Sequence, residues 1–167
     1  MKKRSTACKD FSLCYKDAEE PSVKNISFEI VQGERVFLDG NNGCGKSSLI
    51  KSILEQVNGK TERGLNYETT GTLSVVSGLK ISYISQETSH LRGTLKAYAE
   101  KNDIDYTLLL TLLRQLDFSR VQFGKDMIEF SEGQKKKVLI ASSLLTPAHI
   151  YIWDEPLNYI DVFSRMQ

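Results

Sequence analysis

The sequence predicts an α/β fold in which a β-rich N-terminal part leads into a mixed core that carries a helical insertion. Three observations support this. Ile26, Phe28 and Ile30 alternate with Ser27 and Glu29, the period-two pattern of a half-buried antiparallel pair. A glycine-rich stretch from Gly40 to Ser47 precedes a segment in which Leu49, Ile50, Ile53, Leu54 and Val57 recur at helical spacing. From Thr94 to Asp117 the period is again helical, with Tyr106, Leu109, Leu110, Leu113 and Leu116 on one stripe.

Taken in order, Asp10 to Tyr15 and Ile26 to Ile30 read as strands, and Gln32-Gly33 turns the chain. Val36-Phe37-Leu38 is a continuous apolar run, as expected of a strand covered on both faces. The helix after the glycines runs from about Lys46 to Val57 and is stopped by Asn58-Gly59. Residues 60 to 71 are polar and read as loop, and Thr72 to Val76 and Lys80 to Ser85 read as strands. Asn102-Asp103 divides the 94–117 stretch into two helices. A further helix from about Glu132 to Leu145 ends at Thr146-Pro147, since the residue before proline is driven out of the helical region. Ile150 to Trp153 reads as a buried strand.

The chain has 167 residues, 22 Lys+Arg against 21 Asp+Glu, and net charge +1. That balance argues against a binder of nucleic acid or membrane driven by bulk charge. No apolar run approaches the roughly 20 residues of a membrane span, and no apolar segment follows Met1-Lys-Lys-Arg as a signal peptide would need. Cys8, Cys14 and Cys44 suit neither a disulfide framework nor a zinc site. The expectation is a soluble chain in a reducing, cytoplasmic compartment, with no direct membrane insertion.

Gly40-Asn41-Asn42-Gly43-Cys44-Gly45-Lys46-Ser47 fits G-x-x-x-x-G-K-[ST] between a strand and a helix. Glycines are needed because bulkier side chains would hold backbone N–H groups away from phosphate oxygens. Those amides and the positive end of the helix form an anion nest. Lys46 would reach the β- and γ-phosphates and the Ser47 hydroxyl would ligate Mg²⁺, with Ser48 next in line. The Cys44 thiol is assigned no role beyond sensitivity to alkylation. Asp154-Glu155 ends an apolar strand; the first can hold magnesium and the second can orient or deprotonate the attacking water. Each motif has a plainer reading, a structural turn for the first and a helix cap with a surface carboxylate for the second.

Phe130-Ser131-Glu132-Gly133-Gln134, with Ser131 standing 23 residues before Asp154, resembles the Leu-Ser-Gly-Gly-Gln signature of ATP-binding cassette (ABC) proteins. The resemblance implies that Ser131, Gly133 and Gln134 face the nucleotide of an opposing cassette. Gln86 resembles the Q-loop glutamine that contacts Mg²⁺ and couples to the helical subdomain. Tyr15, 25 residues before Gly40, matches the aromatic that stacks on adenine, although it can equally be strand core. Asn158 and Asp161 resemble the D-loop that communicates between cassettes. The resemblance implies an ATPase using ATP and Mg²⁺, with Glu155, Lys46 and Gln86 catalytic and Ser47, Gln86 and Asp154 at the metal. It also implies a P-loop NTPase (RecA-like) core with an N-terminal antiparallel β subdomain and a small helical insertion. On that basis 1–167 is one nucleotide-binding domain, incomplete at its C-terminus, with 1–86 and 131–167 as core and 87–130 as helical subdomain.

The Asp154-Glu155-Pro156-x-Asn158-x-x-Asp161 form looks most like the F branch of the family, and within it the second cassette of antibiotic-resistance ribosome-protection proteins. The expected partners are a second cassette and the ribosome. The rivals are the ATP-binding subunit of a transporter, docked on a membrane subunit, and a fragment that binds nucleotide without turnover. Glu132 departs from the usual glycine; at about 4 Å and an effective dielectric near 20, it would repel a like charge by about 4 kcal/mol. It is therefore expected to point away from the phosphate and cap its own helix. Gln167 lies six residues past Asp161, before any switch histidine, and His90 and His149 read as surface or packing residues. Lacking a strand between the P-loop strand and the Asp154 strand, the chain is expected to be a marginally stable fragment of a longer polypeptide. Lys135-Lys136-Lys137 reads as the solvated face of a helix.

Overall fold

A computed structural model describes residues 4–59 and 66–156. The chain forms two compact units, Met1–Ile81 and Ser82–Gln167. In the first, β1 (Arg4–Tyr15), β2 (Val23–Val31) and β3 (Tyr67–Val75) make an antiparallel sheet in the order β2-β1-β3, and α1 spans Lys46–Asn58. Cys8 pairs with Phe28, Phe11 with Ile26 and Leu13 with Val23. The register shift between Cys8 and Phe11 resets the period-two alternation, so that Cys8, Phe11, Leu13 and Val23 are all buried. Leu49, Ile50 and Ile53 form the buried face of α1, which lies against β2 and β3. The β1–β3 register shifts between Lys9 and Ser12, where Asp10 takes φ 50, the signature of an extra residue in one strand.

Two expectations fail in this unit. Tyr67 to Gly71, read as loop, belong to β3. This edge strand is mostly exposed and lacks apolar alternation, so it is held by backbone pairing with β1. Val36, Phe37 and Leu38 form no strand and are 59%, 92% and 46% exposed. Such a short apolar run makes too few ladder bonds to persist without partner strands, and none of the described strands pairs with it.

The second unit contains β4 (Ile81–Ile84, its first residue at the boundary), α2 (Leu95–Lys101), α3 (Tyr106–Gln115), two 3-10 turns (Arg120–Gly124 and Met127–Glu129), α4 (Glu132–Leu145) and β5 (Ile150–Trp153). β4 pairs with β5, and the Asp154 N–H donates to the Ile84 carbonyl at 2.9 Å. Each helix here begins on a side-chain cap, satisfying an amide that would otherwise lack an intrahelical partner. Thr94 accepts from the Ala97 N–H, Asp105 from the Leu108 N–H, and Ser131 and Gln134 form a reciprocal capping box. On the expected α3 stripe, Leu109 and Leu113 are buried, whereas Tyr106, Leu110 and Leu116 are partly buried. Replacing the fully buried Leu113 by Ala should cost about 2–5 kcal/mol in urea unfolding. The same change at Leu108, which is exposed, should stay within about 0.5 kcal/mol.

The lysine run corrects the sequence reading. Lys136 is 1% exposed and Lys137 is also buried, because α4 is covered over most of its circumference from Lys136 to Ser143. The Lys136 ammonium donates to the Ser85 carbonyl at 2.8 Å, which satisfies a charge that would be costly to bury unpaired.

Candidate functional site

The glycine loop begins with the Asp39 carboxylate accepting the Gly40 N–H at 2.8 Å. It ends at Gly45, the residue before α1, with φ 90 and ψ 9. A Cβ on Gly45 would lie 2.3 Å from the Ser22 carbonyl oxygen, so glycine is required by the close approach as well as by the left-handed backbone. Unlike α2, α3 and α4, α1 has no side-chain cap, and its first turn carries no acidic residue. With glycine at its N-cap, α1 brings no capping side chain of its own to the positive end of the helix dipole, which suits an anion. Lys46 folds back on the loop, its Nζ donating to the carbonyls of Gly40 (2.7 Å) and Asn41 (3.1 Å). Asn41, Asn42, Gly43 and Cys44 are exposed, and Ser47 and Ser48 are half-buried on the first turn of α1.

Tyr15, at the end of β1, shares a 2.8 Å hydrogen bond with the Ser48 hydroxyl and meets the Tyr67 ring edge-on at 6.1 Å. The Tyr67 hydroxyl donates to the Glu55 carboxylate at 2.5 Å. Burial, then Glu55, raises its pKa. Because residues 60 to 71 read as loop, no sequence signal placed Tyr67 beside Tyr15.

In the second unit, β4 and β5 deliver Gln86 and Asp154-Glu155 to neighbouring positions, since each residue follows one of two paired strands. The Gln86 Nε2 donates to the Glu155 carboxylate. Asp154 is buried; burial first, and then Asp154, push the Tyr83 phenol up to about 12. Glu155 adopts φ 48, a conformation that costs a non-glycine residue about 1–3 kcal/mol and is concentrated at functional corners. Lys136 is pulled below the ordinary lysine range by burial, against which Asp154, Glu132 and Glu155 act.

The signature turn is built differently from expectation at one residue. The helix is capped by Ser131, whose Oγ accepts the Gln134 N–H at 3.2 Å, while the Gln134 side chain accepts the Ser131 N–H at 2.9 Å. Glu132 does not cap it. Its carboxylate accepts from the Thr88 hydroxyl and from Lys135 Nζ at 3.1 Å, and these two bonds, Thr88 first, hold its pKa below the usual carboxylate range. Gly133 is half-buried, and His90 and His149 are exposed.

Tyr15 and Gly40 to Ser48 thus belong to the first unit, while Gln86, Ser131, Gly133, Gln134, Asp154 and Glu155 belong to the second. Asn158 and Asp161 lie outside the described residues. Sequence reasoning passed over Thr88 and the burial of Lys136. Lys136 lies three and four residues before Leu139 and Ile140, a shared helix face that identifies it as inward-facing; Thr88 carries no comparable signal.

Among the described residues no three His, Cys, Asp or Glu side chains are grouped as a self-sufficient metal site. The Ser47 hydroxyl, Gln86 amide and Asp154 carboxylate are hard oxygen donors. Such donors, Ser47 in the first unit and Gln86 and Asp154 in the second, are of the type that magnesium takes alongside phosphate and water. No helix among the described residues is long and apolar enough to cross a membrane.

The sequence profile of the ABC transporter family matches residues 23–158. The ATP-binding protein Uup of Buchnera aphidicola subsp. Acyrthosiphon pisum is 32% identical over 151 residues, covering 84% of this chain and 23% of Uup. The zinc import ATP-binding protein ZnuC of Acinetobacter baylyi is 29% identical over 152 residues, covering 89% of this chain and 55% of ZnuC. The ribosome protection protein VmlR of Bacillus subtilis is 29% identical over 154 residues, covering 89% of this chain and 26% of VmlR. This chain therefore spans well under two thirds of each relative's length. A solved structure of a metal-chelate type ABC transporter in an inward-facing conformation superposes with TM-score 0.68 at 18% identity, covering 98% of this chain and 65% of that one.

Proposed function

Because this chain belongs to the ABC transporter family and has its P-loop NTPase fold, we propose that it binds Mg·ATP and, paired with a second cassette, hydrolyses it to drive opening and closing. The observation that carries this reading is α1, uncapped behind a glycine loop whose last residue admits no Cβ. The loop amides from Gly40 to Ser47 hold the β- and γ-phosphates, and Lys46 exchanges its two carbonyl partners for phosphate oxygens. Tyr15 offers its ring to the base. Ser47, Gln86 and Asp154 would hold Mg²⁺, which supplies charge neutralisation on the phosphates. Gln86 orients Glu155, whose carboxylate takes a proton from water as that water attacks the γ-phosphorus and the bond to the β-phosphate oxygen breaks. Ser131, Gly133 and Gln134 present the N-terminal end of α4 to the partner cassette's nucleotide, and Asp161 would take part in communication with that cassette.

The place of action is the cytoplasm and the partner is the ribosome, a reading supported by the Asp154-to-Asp161 pattern and by the similarity to VmlR. A role in antibiotic resistance is part of the same proposal and rests on the Asp154-to-Asp161 pattern alone. The similarity to ZnuC favours a second reading, the ATP-binding subunit of a membrane transporter. Calorimetric titration of the protein carrying this chain should give a saturable heat with Mg·ATP that requires Lys46. Absence of that heat overturns the reading. ATP-dependent co-sedimentation with ribosomes supports the ribosomal partner, and its absence favours the transporter.

A further inference from the structure

The loop that carries Gln86 is anchored at one end by β4 and at the other by Leu91, which is buried and donates its N–H to the Thr88 carbonyl at 3.0 Å. Gln86 and Glu87 between these anchors are exposed. Two side-chain contacts hold the intervening segment from the same direction. Lys136 Nζ donates to the Ser85 carbonyl at 2.8 Å, one residue before Gln86. The Thr88 hydroxyl, two residues after Gln86, donates to Glu132. Both α4 partners come from its first two turns, and all these groups lie in one compact unit.

Neither contact is solvated decoration. Lys136 and Thr88 are 1% and 3% exposed, so each contact satisfies a buried polar group that would be costly to leave unmade. Glu132 stands where a glycine could make no such bond.

We infer that Lys136 and the Thr88–Glu132 pair are positioning residues that clamp the Gln86 loop to the start of α4, so that the signature turn and the Gln86–Glu155 pair move as one piece. The path runs from Glu132 and Lys136 through Thr88 and Ser85 to Gln86, and from Gln86 to Glu155 by their direct bond. This deepens the proposed ATPase reading and rests on it for the consequence in turnover. The clamp itself is a property of the chain without nucleotide.

The test uses the protein carrying this chain and compares Thr88→Val, which removes only the hydroxyl donor, with Thr88→Ser, which keeps it. Misplacing a reacting group by about an ångström can cost about a hundredfold in rate. Thr88→Val is therefore expected to lower kcat by about tenfold or more while KM for ATP stays within about twofold, and Thr88→Ser to recover most of the loss. Hydrogen exchange without nucleotide or magnesium should show faster exchange over residues 85–88 in Thr88→Val and in Lys136→Met, with α4 itself unchanged. Should Lys136→Met fail to fold, Glu132→Ala breaks the Thr88 contact from the other side and is read in the same way. Unchanged exchange over 85–88 in Thr88→Val overturns the clamp. Faster exchange with wild-type kcat, or a change confined to KM, overturns the positioning role. A wild-type protein that neither binds nor hydrolyses ATP overturns the proposed function and leaves the exchange measurement to judge the clamp.

Discussion

Glu155→Gln in the protein carrying this chain should lower steady-state ATP turnover by about 10²- to 10⁴-fold, the range that a positioned general base contributes. The substitution keeps side-chain length and shape and leaves Gln86 an amide oxygen to bond in place of the carboxylate. It removes the group proposed to accept the proton from the attacking water. ATP binding is expected to persist, since the amides and Lys46 proposed to hold the phosphates belong to the other unit. Single-turnover phosphate release checks the chemical step, and nucleotide retention after gel filtration checks that ATP stays bound. The variant also separates two modes of action. If turnover drives the work, the protein is trapped in its ATP-loaded state and function is lost. If closure alone does the work, one round of function survives.

Gly45→Ala should weaken Mg·ATP binding by about a hundredfold or more, equivalent to about 2.8 kcal/mol. A Cβ there would stand 2.3 Å from the Ser22 carbonyl oxygen and 2.7 Å from a methyl of Val23. The first obstacle is backbone, so no rotamer change relieves it. Either the start of β2 shifts or the loop lifts off and spoils the convergence of its amides. The φ of 90 adds about 1–2 kcal/mol for an L-residue held in the left-handed region. Gly43→Ala is the control. It has nearly the same φ, 84, but nothing within 4 Å of the added methyl, so it incurs the backbone cost without the clash. Calorimetry on both variants, with urea unfolding alongside, checks the order. Equal losses at the two positions would mean that the approach to Ser22 is unimportant.

The elements whose signals are local were legible from residue order alone. The bounds of α4 and β5 match because Ser131 caps the one and apolar Ile150 to Trp153 runs up to Asp154 in the other. The two helices divided at Asn102-Asp103 and the glycine loop followed by α1 were legible for the same reason, since period, caps and glycine spacing act over one or two turns. Tertiary pairing decided the rest. Tyr67 to Gly71 became strand because the backbone of β1 was there to pair with it. Val36 to Leu38, with a stronger apolar signal, did not, because no strand among the described residues pairs with it. The sequence showed three consecutive lysines and an acid in place of a glycine, but not that Lys136 reaches Ser85 and Glu132 reaches Thr88. Those contacts join residues 51 and 44 positions apart. The cost of burying a charge or a hydroxyl depends on what the folded chain brings beside it, which no local pattern specifies.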